Sequence, residues 1–373
     1  MRRLIALRML AHDRATTAGA VLGVVAIIFL VGQQLAVLNG LFTYMSVLVD
    51  NSGADIWVTS EGTDNINTAG DLPTRYLDRL VGLDEVEWAA PVVNAAGFLK
   101  RRDGQFQPVQ LVGVRPPRMA GGPWAYEVGD NSVLLDHDAI TVDWLDRREL
   151  GDPEIGDILE INGRRCRVAA FTRGARGFAG TLIFTNEAKA REVGRVGDDR
   201  CNSILVKLRP GADRDRALAR MRALLPRAGV TPTAELSRNT RLFYVTRTGI
   251  GSSFGFSTVI GILVGVVIII LTMYATVLNR QRDFAVLRAL GARRRDVRVI
   301  VLYQALFIGF IGILVGFLLL AGFLFGTSGT RLPSFMPLWI PPIHAALTML
   351  LCVLGSVLAI RRAVRVEPAS AFR

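Results

Sequence analysis

The sequence predicts an α-helical membrane protein with a large extracytoplasmic α+β domain inserted between its first and second membrane helices. Three observations predict it. Four long apolar runs contain no Asp, Glu, Lys or Arg. Residues 39–249, between the first two runs, are mixed in polarity and neutral overall. Arginine gathers in short segments that fall on one side of a membrane if the runs make four spans.

The runs are residues 17–38, 250–278, 299–325 and 343–360. A helix rises about 1.5 Å per residue, so about 20 residues cross a hydrocarbon core about 30 Å thick. The first three runs are long enough. The fourth is shorter, with Pro341-Pro342 at its outer mouth. The first run has the basic start of a signal peptide, but it is long and no A-x-A cleavage site follows, so it reads as an uncleaved anchor.

The net charge of +12 invites a nucleic-acid reading, and its distribution excludes it. Three segments, 1–16, 279–298 and 361–373, together with Arg331 in the outer loop 326–342, carry the whole excess. Arg-rich short loops stay in the cytoplasm. The expected topology is both termini inside, residues 39–249 outside and 279–298 inside, in a cytoplasmic (inner) membrane. Residues 1–16 read equally as an amphipathic segment lying on membrane lipid, with Leu4, Ile5, Leu7, Leu10 and Ala11 on one face, and as a positive flank that only orients the first span.

Within 39–249, strands are expected at 54–60, 97–101, 107–114, 202–209 and 231–236, with a hairpin turn at Asp103-Gly104. Helices are expected after Pro73 and over 214–225, the latter capped by Asp213. Residues 54–114 and 202–236 then form one α+β subdomain. Residues 115–200 form a mostly β insertion with strands at 133–135, 158–161, 167–171 and 182–184.

The chemistry is sparse. Cys166 and Cys201 both lie in the outer domain, where a disulfide and two free thiols fit equally. No metal-ligand spacing appears, the three histidines are scattered, and no Ser/His/Asp or Cys/His set stands out. There is no G-x-x-x-x-G-K-[ST] phosphate loop, so no ATPase site is expected in this chain. The uncharged spans argue against an ion-coupled carrier. Glycines four apart, Gly251 and Gly255, Gly261 and Gly265, Gly312 and Gly316, allow close helix approach within the bundle or across a dimer seam.

The segment 280–297, RQRDFAVLRALGARRRDV, follows the second run. It resembles the R-x-x-E-[IF]-[AG]-x-[LM]-[RK]-A-[LMV]-G-A-[ST] stretch of the MacB/FtsX/LolC permeases of ABC transporters. Asp283, Phe284, Ala285, Leu287, Arg288, Ala289, Leu290, Gly291 and Ala292 fill the pattern. Asp283 replaces the usual Glu, and Arg293 a small polar residue. Residues 133–136 with 155–163, and the tail 366–373, resemble further stretches of that family. The layout is most similar to the DevC branch. The resemblance implies a MacB-like periplasmic domain of two subdomains and a homodimer working with a pair of ATPase subunits. ATP and Mg would be bound by those partners, so the chain itself is not expected to be an enzyme and needs no cofactor.

The segment 283–292 would dock in the ATPase, with Leu287 and Leu290 filling its groove and Gly291 allowing the turn. The dimer seam would run along Gly251, Gly255, Gly261 and Gly265. Export through a periplasmic adaptor and an outer-membrane channel is the leading expectation. An FtsX-like regulator of a cell-wall hydrolase is the second. A haem exporter permease like HrtB is the third, although Tyr44, Met45 and His344 make no convincing ligand set.

Overall fold

The computed structural model describes residues 2–12, 14–178, 180–279, 281–330 and 332–364. Arg280, Arg331 and the tail 366–373 lie outside the described residues. Contacts divide the chain into two units, one of residues 1–40 and 252–373, the other of residues 41–251.

Along the chain come α1 (Arg2–His12), α2 (Arg14–Met45), α3 (Val47–Asp50), β1 (Ile56–Ser60), β2 (Leu72–Pro73), α4 (Tyr76–Val81), β3 (Val86–Lys100) and β4 (Phe106–Val114). Next are β5 (Tyr126–Val128), β6 (Ala139–Asp143), β7 (Ile158–Ile161), β8 (Arg164–Thr172), β9 (Thr181–Asn186), α5 (Glu187–Gly194), β10 (Arg200–Cys201) and β11 (Ser203–Leu208). The chain closes with α6 (Arg214–Leu224), β12 (Ala228–Pro232), α7 (Thr233–Arg247), α8 (Ile250–Asn279), α9 (Gln281–Ala289), α10 (Arg294–Thr327) and α11 (Ile340–Val364).

In the first unit, α2, α8 and α10 are long and apolar enough to cross a membrane, and α11 is apolar over residues 340–356. Glycines on α10 and α11 let their neighbours close in. A Cβ at Gly316 would lie 2.7 Å from Ile28 Cβ, and one at Gly312 would lie 2.5 Å from Val24 Cβ. One at Gly355 would lie 2.7 Å from Ile269. The glycines of α10 thus receive the β-branched stripe of α2, where van der Waals fit takes the place of hydrophobic exclusion.

The second unit is built on one mixed sheet in the order β12-β1-β11-β3-β4-β9-β6-β8-β5, with β7 pairing both β3 and β8. Strand alternation sorts its first half into two cores. Ile56, Val58, Ile204 and Val206 face Tyr76 and Leu80 of α4 and Ala217 and Met221 of α6. Trp57 and Leu205 face the opposite way, with Val47–Val49 of α3 and Leu236 of α7. The second half has its own core around Leu111, Ile140, Ile161, Val168 and Ile183. The two stretches that the sequence separates are joined where β4 runs parallel to β9, Leu111 opposite Ile183.

Several expected elements differ. Residues 231–236 are not a strand: β12 ends at Pro232 and α7 starts at Thr233. Thr231 and Thr233 look strand-like, but the burial of Leu236, Thr240 and Tyr244, each four apart, fixes a helix. Residues 133–135 lie in a 3-10 turn, 131–135, where the Asp130 side chain accepts from the Ser132 amide. The neighbouring strand is β6, which the sequence reading missed together with α5. The hairpin is present, its Gly104 at φ 82°, and β3 extends back to Val86.

Candidate functional site

The 283–292 segment folds as the end of α9 and a tight turn into α10. Ala292 N donates to Leu287 O at 3.0 Å and Gly291 N to Arg288 O at 3.0 Å. Gly291 sits at φ 94°, the left-handed conformation that closes a helix this way. On the far side of the turn, Asp296 Oδ2 accepts from Arg293 N at 2.9 Å, and Asp296 N donates to Arg293 O at 2.8 Å. Bonds within the chain therefore close the turn on both sides.

Phe284 and Ala285 are fully buried, and Leu287 packs beside them. They rest on Val297, Ile300 and Val301 of α10 and on Ala6 and Leu10 of α1. Asp283, Val286 and Ala289 face outward, and Leu290 is 80% exposed. Leu287 and Leu290 therefore do not share one docking face. Leu287 follows Phe284 by three residues and turns in with it, whereas Leu290 stands where the chain leaves the helix. Val286 is the outward partner that the sequence reading missed, and its spacing of four from Leu290 was the available signal.

The α1 helix braces this cluster with a different face from the one expected. Ala6 and Leu10 are buried, with Ile5 and Met9 beside them, while Leu4, Leu7 and Ala11 are exposed. Residues 5, 6, 9 and 10 form a single stripe, whereas the expected set straddled two. Arg3 Nε donates to the Tyr303 hydroxyl at 3.0 Å, and its guanidinium lies over that ring.

Of the four glycines expected on a dimer seam, Gly265 lies against Ile27 of α2 and Gly251 against Val245. A Cβ at Gly261 would lie 3.6 Å from Val31, an ordinary contact, and Gly255 faces open space. Cys166 and Cys201 are free thiols buried in different cores, so of the two alternatives left open the structure holds the unpaired one. Burial pushes both thiols up to about 11, which leaves them protonated and inert at neutral pH.

In the sheet unit several charged groups are paired. Among the described residues, His137, Asp138 and Glu192 come close enough to suggest a metal site. Lys189 Nζ supplies the positive charge there instead, donating to Asp138 Oδ1 at 2.8 Å and Glu192 Oε2 at 3.0 Å. Glu187 is buried between Arg115 and Arg191. Burial alone would raise its carboxyl, but the two guanidinium groups outweigh burial and hold it below the ordinary value.

Residues 15–224 match the family described as MacB-like periplasmic core domain, and residues 255–368 match FtsX-like permease C-terminal. An uncharacterised ABC transporter permease of Methanocaldococcus jannaschii is 25% identical over 213 residues, which is 52% of this chain and 50% of that protein. The chain thus spans about half the length of that relative. Two solved structures are also similar. The periplasmic region of MacB from Actinobacillus actinomycetemcomitans has a TM-score of 0.39 at 12% identity, covering 50% of this chain and 93% of that one. The extracellular domain of the noncanonic ABC-type transporter YknZ from Gram-positive bacteria has a TM-score of 0.34 at 12% identity, covering 48% and 98%. An apolar helical unit interrupted by an α+β domain, a closed turn between α9 and α10, and family matches over both parts place the chain among the FtsX/MacB-type ABC transporter permeases.

Proposed function

We propose that this permease converts ATP hydrolysis on a separate ATPase into motion of its outer domain, and that the ATPase docks on the outward side of the 283–292 turn. The observation that carries the reading is Leu290, 80% exposed beside exposed Val286 on a turn that bonds within the chain hold closed. Apolar side chains held outward on a rigid support suit a partner's groove. ATP and Mg belong to that partner, since the sequence has no phosphate loop.

The arginine-rich segments support four spans with both termini in the cytoplasm. A homodimer exporting through a periplasmic adaptor and an outer-membrane channel is the preferred assembly. Regulation of a cell-wall hydrolase and haem export remain the other readings, and the proteins recovered with the tagged chain from native membranes separate them. An adaptor marks export and a hydrolase marks regulation.

The docking claim is tested with Leu290→Asp in the chain reconstituted with the ATPase so recovered. Partner-stimulated ATP turnover falls at least about tenfold while the melting temperature holds, because an exposed residue contributes little to stability. Leu287→Asp lowers both, because its side chain packs on the core. Normal turnover in a correctly inserted Leu290→Asp variant would sink the assignment.

A further inference from the structure

We propose that the loop between β8 and β9, through Arg176 and Phe178, is the member that passes movement from the membrane-linked helices of the outer domain into its sheet; this deepens the proposed function and rests on it.

The domain of residues 41–251 joins the rest of the chain at two places, the end of α2 and the end of α7. Inside the domain those two ends are bound to each other. Arg241 of α7 donates from Nη2 to Asp50 Oδ2 at 2.6 Å and from Nε to Ser46 Oγ at 2.8 Å. Ser46 Oγ, wholly buried, donates in turn to Asp50 Oδ2 at 2.7 Å. The α2–α3 junction and α7 therefore form one strut.

The β8–β9 loop grips both halves of that strut. Arg176 Nη1 donates to the Tyr44 hydroxyl at 2.8 Å, with the guanidinium 5.2 Å from the ring centre. Two residues on, the Phe178 ring meets Tyr244 of α7 edge-on at 4.6 Å. Behind the loop, the turn after β6 holds it by two buried carboxylates. Arg176 Nε donates to Asp146 Oδ1 at 2.9 Å, with the two side chains 6% and 5% exposed. Ala175 N donates to Asp143 Oδ2 at 2.9 Å. The path runs from Tyr44 and Tyr244, through Arg176 and Phe178, to Asp146 and β6, an interior strand of the sheet.

The chemistry suits a positioning role better than a stabilising one. A buried ion pair gains little over apolar packing, because desolvation offsets its attraction. What it adds is geometry: a planar guanidinium fixes the hydroxyl and the carboxylate in one plane. The edge contact of Phe178 on Tyr244 contributes position and area without directional bonding.

The test is nucleotide-dependent hydrogen exchange on the full chain reconstituted with its ATPase in nanodiscs. In the parent protein, ATP changes amide protection in α7 and also in β6 and β9. The double variant Tyr44→Phe with Phe178→Leu keeps the Arg176–Asp146 pair and most of the apolar volume. In it, ATP turnover stays within about twofold and the α7 change persists, while the change in β6 and β9 falls at least about threefold. Arg176→Gln reproduces the loss, or unfolds, in which case the double variant decides. An undiminished response in β6 and β9 overturns the inference, including in a variant that only melts at lower temperature. A parent protein that does not stimulate ATP turnover by its ATPase would instead overturn the reading on which the inference rests.

Discussion

At the scale of single residues, burial decides which charges matter. Glu187 is held ionised by Arg115 and Arg191, so its folded value lies below its unfolded one. Such a group stabilises the fold above the unfolded value, about 4.3, and loses that contribution as pH falls through the folded value. Thermal melts of the detergent-solubilised protein should fall as pH drops below about 4. Glu187→Gln should cost about 3–5 kcal/mol at pH 7, because two guanidinium groups lose a buried partner, and should flatten the acid limb. An unchanged melting temperature at pH 7 would show that the pair is dispensable. Arg191 lies four residues from Glu187 on the same helix, a local spacing, but the Arg115 contact was not legible in the sequence. Glu187 is 72 residues from Arg115, and only the fold brings them together. The turn at Gly291 was legible because its determinants are local: a glycine at the helix end, Asp296 three residues after Arg293, and apolar residues three and four apart. Local spacing did not show which leucine turns inward, since Ala6 and Leu10, almost 300 residues away, decide it.

At the scale of elements, glycine placement sets how closely helices pass. Gly312→Leu should drive a side chain into Val24, and overpacking of this kind costs about 1–3 kcal/mol. Gly255→Leu has open space and should leave the melting temperature of a detergent-dispersed monomer unchanged. Equal melting temperatures for the two variants would mean that α2 and α10 do not meet as described. Helix existence was readable from the uncharged runs, and the α2, α8 and α10 helices contain them. Element type failed where pattern and partner disagree. Thr231 and Thr233 favoured a strand by propensity, and α7 won because Leu236 and Tyr244 each find a core on one helical face. The β6 strand was missed although Ile140, Thr141, Val142 and Asp143 alternate in polarity, and the fold buries all five of its residues.

At the scale of the whole molecule, Gly255 offers a direct probe of assembly. If two copies meet along α8, Gly255→Cys should give a disulfide-linked dimer on mild oxidation in membranes, because Cys166, Cys201 and Cys352 are buried and do not compete. A band that stays monomeric would move the seam to another helix face. The same scale gives the closed turn around Gly291 a meaning for turnover. If the ATPase docks there as proposed, it meets a turn already closed by bonds within the chain, with nothing to fold on arrival and nothing to unfold on leaving. Association of this kind loses little conformational entropy. A motor subunit could then let go of the membrane subunit and be exchanged for another copy, with the permease keeping its grip surface intact between engagements.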